Sequence, residues 1–413
     1  MGRRGVLGCA VAAAALALAL AGCGDDEPDD GGPQSGSRTV TIYSSLPLYG
    51  PDRRSSQDMV NSIKLALEEA GGKAGVLSVT YVSLDSSTRE DATWTRDRVL
   101  DNARQAVRDI NAIAYIGDRD SDATALALPL TNEGNILQVS PTSAYDGLTR
   151  AGGVRTGEPE RFYPSSIRTF GRMVAPDHVQ ASALVGYMKA EGVRRLALLG
   201  DRELEGGGIA DQVTRAAERQ GIEVVDKGRV DATKGDLAGR AADIAATGAD
   251  AFLFAGDSQT GAARIFQAVA GVTTRMLLFA PAGVADESFL TAVGPAIQRR
   301  LRITTPTLPE RVLPASARVF SARFRTTFGR SPDPAAHLSY EATRVIIDAI
   351  RRAGAKGNQR QAVIDAFFAT EGRPSVLGTY SIDRFGDTSL RRFAGNRVRR
   401  SRLVLDKVLQ VRP

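Results

Sequence analysis

The feature that most constrains this chain is a rhythm. Short apolar runs of strand character alternate with longer stretches of helical period, and the series runs twice. The first series predicts strands at 39–45, 77–82, 113–116 and 136–139, with helices starting near Ser55 or Ser56 and spanning 91–109 and 121–131. The second predicts strands at 195–199, 222–225, 251–254 and 276–279, with helices at 208–220, 236–247 and 260–270. Strands alternating with helices imply parallel sheets covered on both faces. Two such series, without a matching residue repeat, imply two doubly wound lobes. The last third reads as helices at 315–328, 335–353 and 358–370 and a strand at 378–382. The expected route crosses back to the first lobe near Thr304-Thr305-Pro306 and returns to the second near Tyr380.

Local signals sharpen several of these elements. Ser55 with Asp58 has capping-box spacing, Asp standing for Glu. Met59, Ile63, Ala66 and Leu67 give that helix an apolar stripe, and Gly71-Gly72 stops it. The run Ile136-Leu137-Gln138-Val139 breaks at Ser140-Pro141. Proline offers no N–H, so the chain must leave the sheet there. In an open α/β sheet, ligands bind in loops beyond the carboxyl ends of strands, so the small polar stretch that follows is expected to wall a cleft.

The N-terminus carries separate information. Arg3 and Arg4 precede an apolar run from Gly5 to Ala21, ending Leu20-Ala21-Gly22-Cys23. A charged start, a short apolar run and small residues before a break make a secretory signal, too short for a membrane span. The Asp-, Gly-, Pro- and Ser-rich stretch that follows, up to Arg38, has no apolar period and reads as a tether. Cys9 lies in the segment removed, so the mature chain keeps one cysteine and no internal disulfide.

Charge and motif content restrict the function classes. A net charge of +6 over 413 residues is modest, and the excess gathers at Arg391, Arg392, Arg397, Arg399, Arg400 and Arg402, which reads as a solvated face. With no groove-reading or aromatic motif beside it, nucleic acid is not expected as a partner. The two histidines, His178 in a Pro-Asp loop and His337 on a helix, lack metal-ligand spacing. Nucleophile elbow, phosphate loop and dinucleotide fingerprint are missing; Gly206-Gly207-Gly208 opens a helix without the Lys-Ser/Thr a phosphate loop needs. The expectation is a binding protein with no enzymatic activity and no cofactor.

Several stretches taken together resemble one family, the leucine/isoleucine/valine-type (branched-chain amino acid) substrate-binding proteins of ABC importers. Leu46-Pro47-Leu48-Tyr49-Gly50-Pro51, Ile116-Gly117 followed by Ser121, and Gly134 to Ala144 resemble its three first-lobe cleft loops. Pro176-Asp177-x-x-Gln180 resembles the opening of its second lobe. Phe324 to Pro334 followed by His337-Leu338-Ser339-Tyr340-Glu341-Ala342 resembles its C-terminal helices. Leu-Ala-Gly-Cys likewise resembles the bacterial lipobox, which implies that Cys23 becomes the lipidated first residue.

The resemblance implies a type I periplasmic binding fold, two lobes joined by a multi-strand hinge that close over a solute. It assigns 1–22 to a lipoprotein signal, 23–38 to a lipidated tether, 39–167 with 305–378 to the first lobe, and 168–304 with 379–413 to the second. It implies a monomer, lipid-anchored on the extracytoplasmic face of a bacterial membrane, that delivers a small polar solute, an amino acid or related compound, to an ABC permease and ATPase. The alternative is a sensor domain of the same fold signalling to a membrane partner. Ligand-binding positions carried over are Tyr49, Ser55, Asp118, Ser121, Thr142 and Ala144 on the first wall, Ser121 and the amides of Thr142 and Ala144 holding a carboxylate. On the second wall Glu205 and Asp257 stand where the family keeps aromatics, and Ala282 stands where it keeps the acid that meets an α-ammonium. Asp118, Asp120, Glu205 and Asp257 suit a cationic or hydroxyl-rich ligand; Arg53, Arg54 and Arg119 suit an anionic one. Without a counter-charge, an ammonium in a closed cleft would be costly, so either Glu205 or Asp257 supplies it or the ligand is not a standard α-amino acid.

Overall fold

A computed structural model describes residues 38–151 and 155–412. The signal, the tether and Cys23 lie outside the described residues. In chain order the first part runs β1 (Thr39–Leu46), α1 (Arg53–Glu69), β2 (Lys73–Ala74), β3 (Leu77–Asp85), α2 (Arg96–Arg108), β4 (Ala112–Gly117), α3 (Ser121–Glu133), β5 (Leu137–Ser140) and β6 (Phe170–Arg172). These strands form one sheet in the order β2-β3-β1-β4-β5-β6, parallel except for the β2–β3 pair. The expected stripe of α1 is buried. The expected capping box is not formed. α1 begins two residues earlier, Ser55 Oγ donates to Asp333, and Asp58 pairs with Arg330. α2 also starts later than its period suggests, because Trp94 bridges to Ser87 and Thr95 caps the helix.

The second part runs α4 (Asp177–Ala190), β7 (Arg195–Gly200), α5 (Leu204–Gln220), β8 (Glu223–Arg229), α6 (Leu237–Ala246), β9 (Ala251–Ala255), α7 (Ala262–Val272), β10 (Leu277–Ala280), α8 (Glu287–Ala292), α9 (Gly294–Arg300) and β11 (Leu301–Thr305). The chain then makes α10 (Ala315–Phe328), α11 (Pro334–Arg352), α12 (Arg360–Phe368), the small pair β12 (Arg373–Pro374) and β13 (Thr379–Tyr380), and a hairpin of β14 (Arg392–Arg399) and β15 (Arg402–Gln410). The second sheet has the order β15-β14-β11-β10-β9-β7-β8, with a parallel core and the hairpin antiparallel at one edge.

Each sheet is packed on both faces. Val40, Ile42, Ile116 and Val139 meet Ile63, Val345, Ile346 and Phe367 from α1, α11 and α12, while Tyr43 and Tyr115 meet Val99 and Ala103 of α2 and Ala123 and Ala127 of α3. In the second sheet, α4 and α5 cover one face, and α6 to α9 the other. A sheet buried on both faces needs near-continuous apolar strands, which is why β4, β7 and β9 read as unbroken runs.

The chain passes between the sheets three times, at 173–176, 306–314 and 388–391. Two of the expected lobe limits therefore move. Phe170–Arg172, placed in the second lobe from sequence, pairs with β5 in the first sheet. Tyr380 and Ile382 belong to the first core, and Gly386 O accepts from Arg172 N, so the return falls near 390. The arginine-rich tail is the edge hairpin itself. Arg397 pairs with Glu191 and Asp406, a charged edge that discourages further strand addition.

Candidate functional site

The first wall is built from the ends of β1, β4 and β5. Ser140, the last residue of β5, is its hub. Its hydroxyl donates to the Asp118 carbonyl at 2.7 Å and accepts from Thr142 N at 3.3 Å and Ser143 N at 2.9 Å. Ser143 Oγ meets Thr124 Oγ1 at 2.7 Å, and Thr142 Oγ1 donates to Arg119 O at 2.6 Å. Pro141 turns the chain out of the sheet, and these bonds fix it against the β4 loop. From below, Arg172, fully buried, donates to Ser143 O at 3.2 Å and Tyr145 O at 2.9 Å and pairs with Asp387 at 2.8 Å.

This knitting changes what several expected ligand groups can offer. Thr142 spends its amide on Ser140 and its hydroxyl on Arg119. Asp118 is buried, 1% exposed. It accepts from Ser45 Oγ at 2.7 Å and from Tyr115, and burial pushes its carboxyl up to about 7. Asp118 is therefore a structural group of the β1–β4 interior. Ser55 bonds Asp333 at 2.9 Å and accepts from Arg119 at 3.3 Å. Tyr49 is half-buried at the rim, its ring under Arg89. Arg53 and Arg54 are exposed on the first turn of α1. Ser121 and Ala144 do face the second lobe.

The second wall comes from the loops after β7, β9 and β10. Asp201 is bonded by Thr260 Oγ1 at 2.9 Å and Glu203 N at 3.1 Å. Asp257 accepts from Gln259 N at 2.7 Å; burial raises its carboxyl to about 7, with Asp52 adding to the rise and Arg119 opposing it. The turn holding Ala282 is tied to this loop, since Ser258 N donates to Gly283 O at 3.1 Å. Glu205 lies in the first turn of α5.

The walls meet. Ser121 Oγ donates to Glu205, while accepting from Tyr145 N at 3.2 Å. The Ala144 amide also bonds the Glu205 carboxylate. Leu204 N, at the start of α5, donates to both oxygens of Asp122 at 3.1 and 3.2 Å. Gln259 reaches Asp52 at 3.0 Å, and Arg119 pairs with the same Asp52 at 2.7 Å. Gly208 lets α5 lie against the Tyr145 ring, where a Cβ would sit 2.6 Å from a ring carbon. Carboxylates crowd this junction. Burial pushes Asp122 up to about 7, and it raises Asp120, Asp177 and Glu205, their mutual repulsion adding to the effect. Asp177 is 1% exposed and neither of its oxygens has a hydrogen-bond partner; Asp120 leaves one buried oxygen equally bare.

A family model described as "Periplasmic binding protein" matches residues 39–388. The chain belongs to the periplasmic binding protein family. Its fold matches that of solved members. A leucine-binding protein LivK from Thermotoga maritima gives a TM-score of 0.76 at 20% identity, covering 90% of this chain and 99% of that one. LivJ from Streptococcus pneumoniae, in complex with isoleucine, gives 0.71 at 17%, covering 91% and 100%. A solute-binding protein from R. palustris, in complex with benzoate, gives 0.72 at 16%, covering 91% and 98%. No curated protein sequence matches the chain.

For a periplasmic binding protein, the expected cleft residues are unevenly placed. Ser121, Ala144 and Glu205 come together; Asp257 and Ala282 lie beside one another; Tyr49 stays at the rim. Of three further acids at the junction, Asp52 and Asp122 were not singled out from sequence, and Asp177 was named only within the motif that opens the second lobe. Asp122 and Asp177 occupy first turns of helices, where an acid is ordinary. His178, expected in a loop, stands in the first turn of α4, its Nδ1 at 2.7 Å from Asp146. His337 is buried against Phe320, and burial lowers its pKa to about 4. Among the described residues no cluster of His, Cys, Asp and Glu is suited to a metal ion, and no helix is long and apolar enough to cross a membrane.

Proposed function

We propose that this periplasmic binding protein is an extracytoplasmic solute-binding lipoprotein that captures a small polar solute between its lobes and passes it to an ABC importer. The observation that carries this reading is the junction itself. Two sheets, joined by three crossings, bring loops from the carboxyl ends of their parallel strands face to face, and polar side chains from both lobes touch there. Such a molecule needs no reaction chemistry. A ligand that binds the closed arrangement better than the open one shifts the balance towards closure. The ligands bound in the structural neighbours, isoleucine and benzoate, support a small organic solute. Ser121, Ala144, Glu205, Asp257 and Ala282 are the residues proposed to face it. Leu20-Ala21-Gly22-Cys23 supports a lipid anchor on Cys23.

A thermal-shift screen of amino acids, amines, aromatic acids and sugars, paired with small-angle scattering, tests the binding role. The expected result is stabilisation and compaction by one class. A protein that no small molecule stabilises or compacts would refute it. For the anchor, Cys23→Ser should move the protein from the membrane fraction to the medium; retention at the membrane would overturn that part.

A further inference from the structure

Resting on that solute-binding reading, we infer that the cleft has had its polarity inverted: Glu205 fills the groups that would receive a ligand carboxylate, and the solute is an organic cation, an amine or guanidinium, held by Glu205 and Asp177. The Ser121 hydroxyl and the Ala144 amide are the two donors that converge on the junction from the first wall, and both are spent on Glu205. Thr142, a third expected donor, is spent inside its own loop. A ligand carboxylate arriving there would meet a carboxylate instead of free donors, and like charges at contact repel.

The second half of the argument is Asp177. It sits at the first crossing between lobes, at the start of α4, and its amide donates to Ala144 O at 2.9 Å. Ala144 thus links the two residues, its amide on the Glu205 carboxylate and its carbonyl on the Asp177 amide. Both Asp177 oxygens are bare although the residue is 1% exposed. A buried carboxylate without a partner is costly, and proteins retain one where something completes it. The surrounding groups do not. Asp146, which faces it, is spent on the ring and amide of His178. Arg172, the nearby cation, is spent on Asp387, Thr149 and two carbonyls. Arg119, beyond Asp120, is paired with Asp52. What the two acids lack is positive charge with N–H donors, which an ammonium or guanidinium carries and a neutral amino-acid side chain does not. A metal ion fits less well, because these acids do not assemble into a ligand set.

The test uses the full-length chain in mild detergent, read by thermal shift and calorimetry with putrescine, agmatine, L-arginine, leucine, benzoate and glucose. At least one of the first three should bind. Glu205→Gln and Asp177→Asn should each weaken it by about tenfold or more, as expected for removing one charged partner of a buried pair. Both variants should keep or raise the melting temperature of the unliganded protein, since each relieves a buried like-charge contact; that result separates lost recognition from lost folding. Leucine or benzoate binding the native protein, with Glu205→Gln tightening it, would overturn the inference and make Glu205 a plug that a carboxylate displaces. Glucose binding unaffected by either variant, or no cationic probe binding, would also overturn it, while leaving the solute-binding reading to stand or fall on the wider screen.

Discussion

The two walls of the cleft are made of the same kind of loop and solve opposite problems. Around Ser140 the first wall satisfies its own polar groups. Hydroxyls of Ser140, Thr142 and Ser143 close onto backbone of the neighbouring loop, and buried Arg172 clamps the carbonyls beneath. On the second wall two groups find their partners across the gap, the Glu205 carboxylate at Ser121 and the Leu204 amide at Asp122, while Asp201 and Asp257 are bonded within their own loops. The contrast teaches a division of labour. One wall closes its polar groups on itself, and the other leaves the Glu205 carboxylate to a partner outside its own lobe.

That contrast can be broken first at Arg172. Arg172→Met should cost on the order of 3 kcal/mol in chemical denaturation, because Asp387 and two loop carbonyls would lose a buried charged donor. A loss below about 1 kcal/mol would mean that the first wall does not depend on its clamp. Ser140→Ala should cost roughly 2 kcal/mol by the same measurement, leaving buried Thr142 and Ser143 amides without an acceptor. Asp122→Ala should leave each lobe folded but shift scattering of the unliganded protein towards a larger radius, since one interlobe bond worth about 1 kcal/mol is gone; an unchanged radius would show that Asp122 does not hold the lobes together. Charge inside the first wall has its own signature. The Asp118 carboxyl, raised to about 7, favours the folded state below its ordinary value near 3.8, and that contribution is lost as pH rises to 7. Asp118→Asn should therefore raise stability at pH 8 and flatten the pH profile between about 4 and 7. The smallest effect is expected far from both walls. Arg397→Ala on the edge hairpin should change stability by less than about 1 kcal/mol.

The alternating rhythm was legible because doubly buried strands leave apolar runs that few other elements imitate. The parts that escaped reading have specific causes. β6 is Phe170-Gly171-Arg172, three residues with a glycine and a charge, and only pairing with β5 makes it a strand. α4 is buried nearly all round, so it lacks the one-sided stripe by which helices are recognised. The β14–β15 hairpin turns through Arg400 and Ser401, both at positive φ, 51° and 57°, without the glycine or asparagine that marks such turns. At the site, strand ends and loop composition located the walls. They did not show that the Ala144 amide would face a carboxylate from the other lobe, or that Asp177 would be stranded beside it. Those facts belong to the packing of one lobe on the other, which no window of sequence contains.

One consequence follows from the bond between Asp122 and Leu204. The first turn of α5 has no capping side chain of its own, and Gly206, Gly207 and Gly208 make it a poor starter. Its cap is borrowed from α3 in the opposite lobe. The closed arrangement therefore completes a helix that an opened one would let fray. Deuterium uptake at the backbone of residues 204–207 should then serve as a clock for opening, fast when the lobes part and slow when a solute keeps them together.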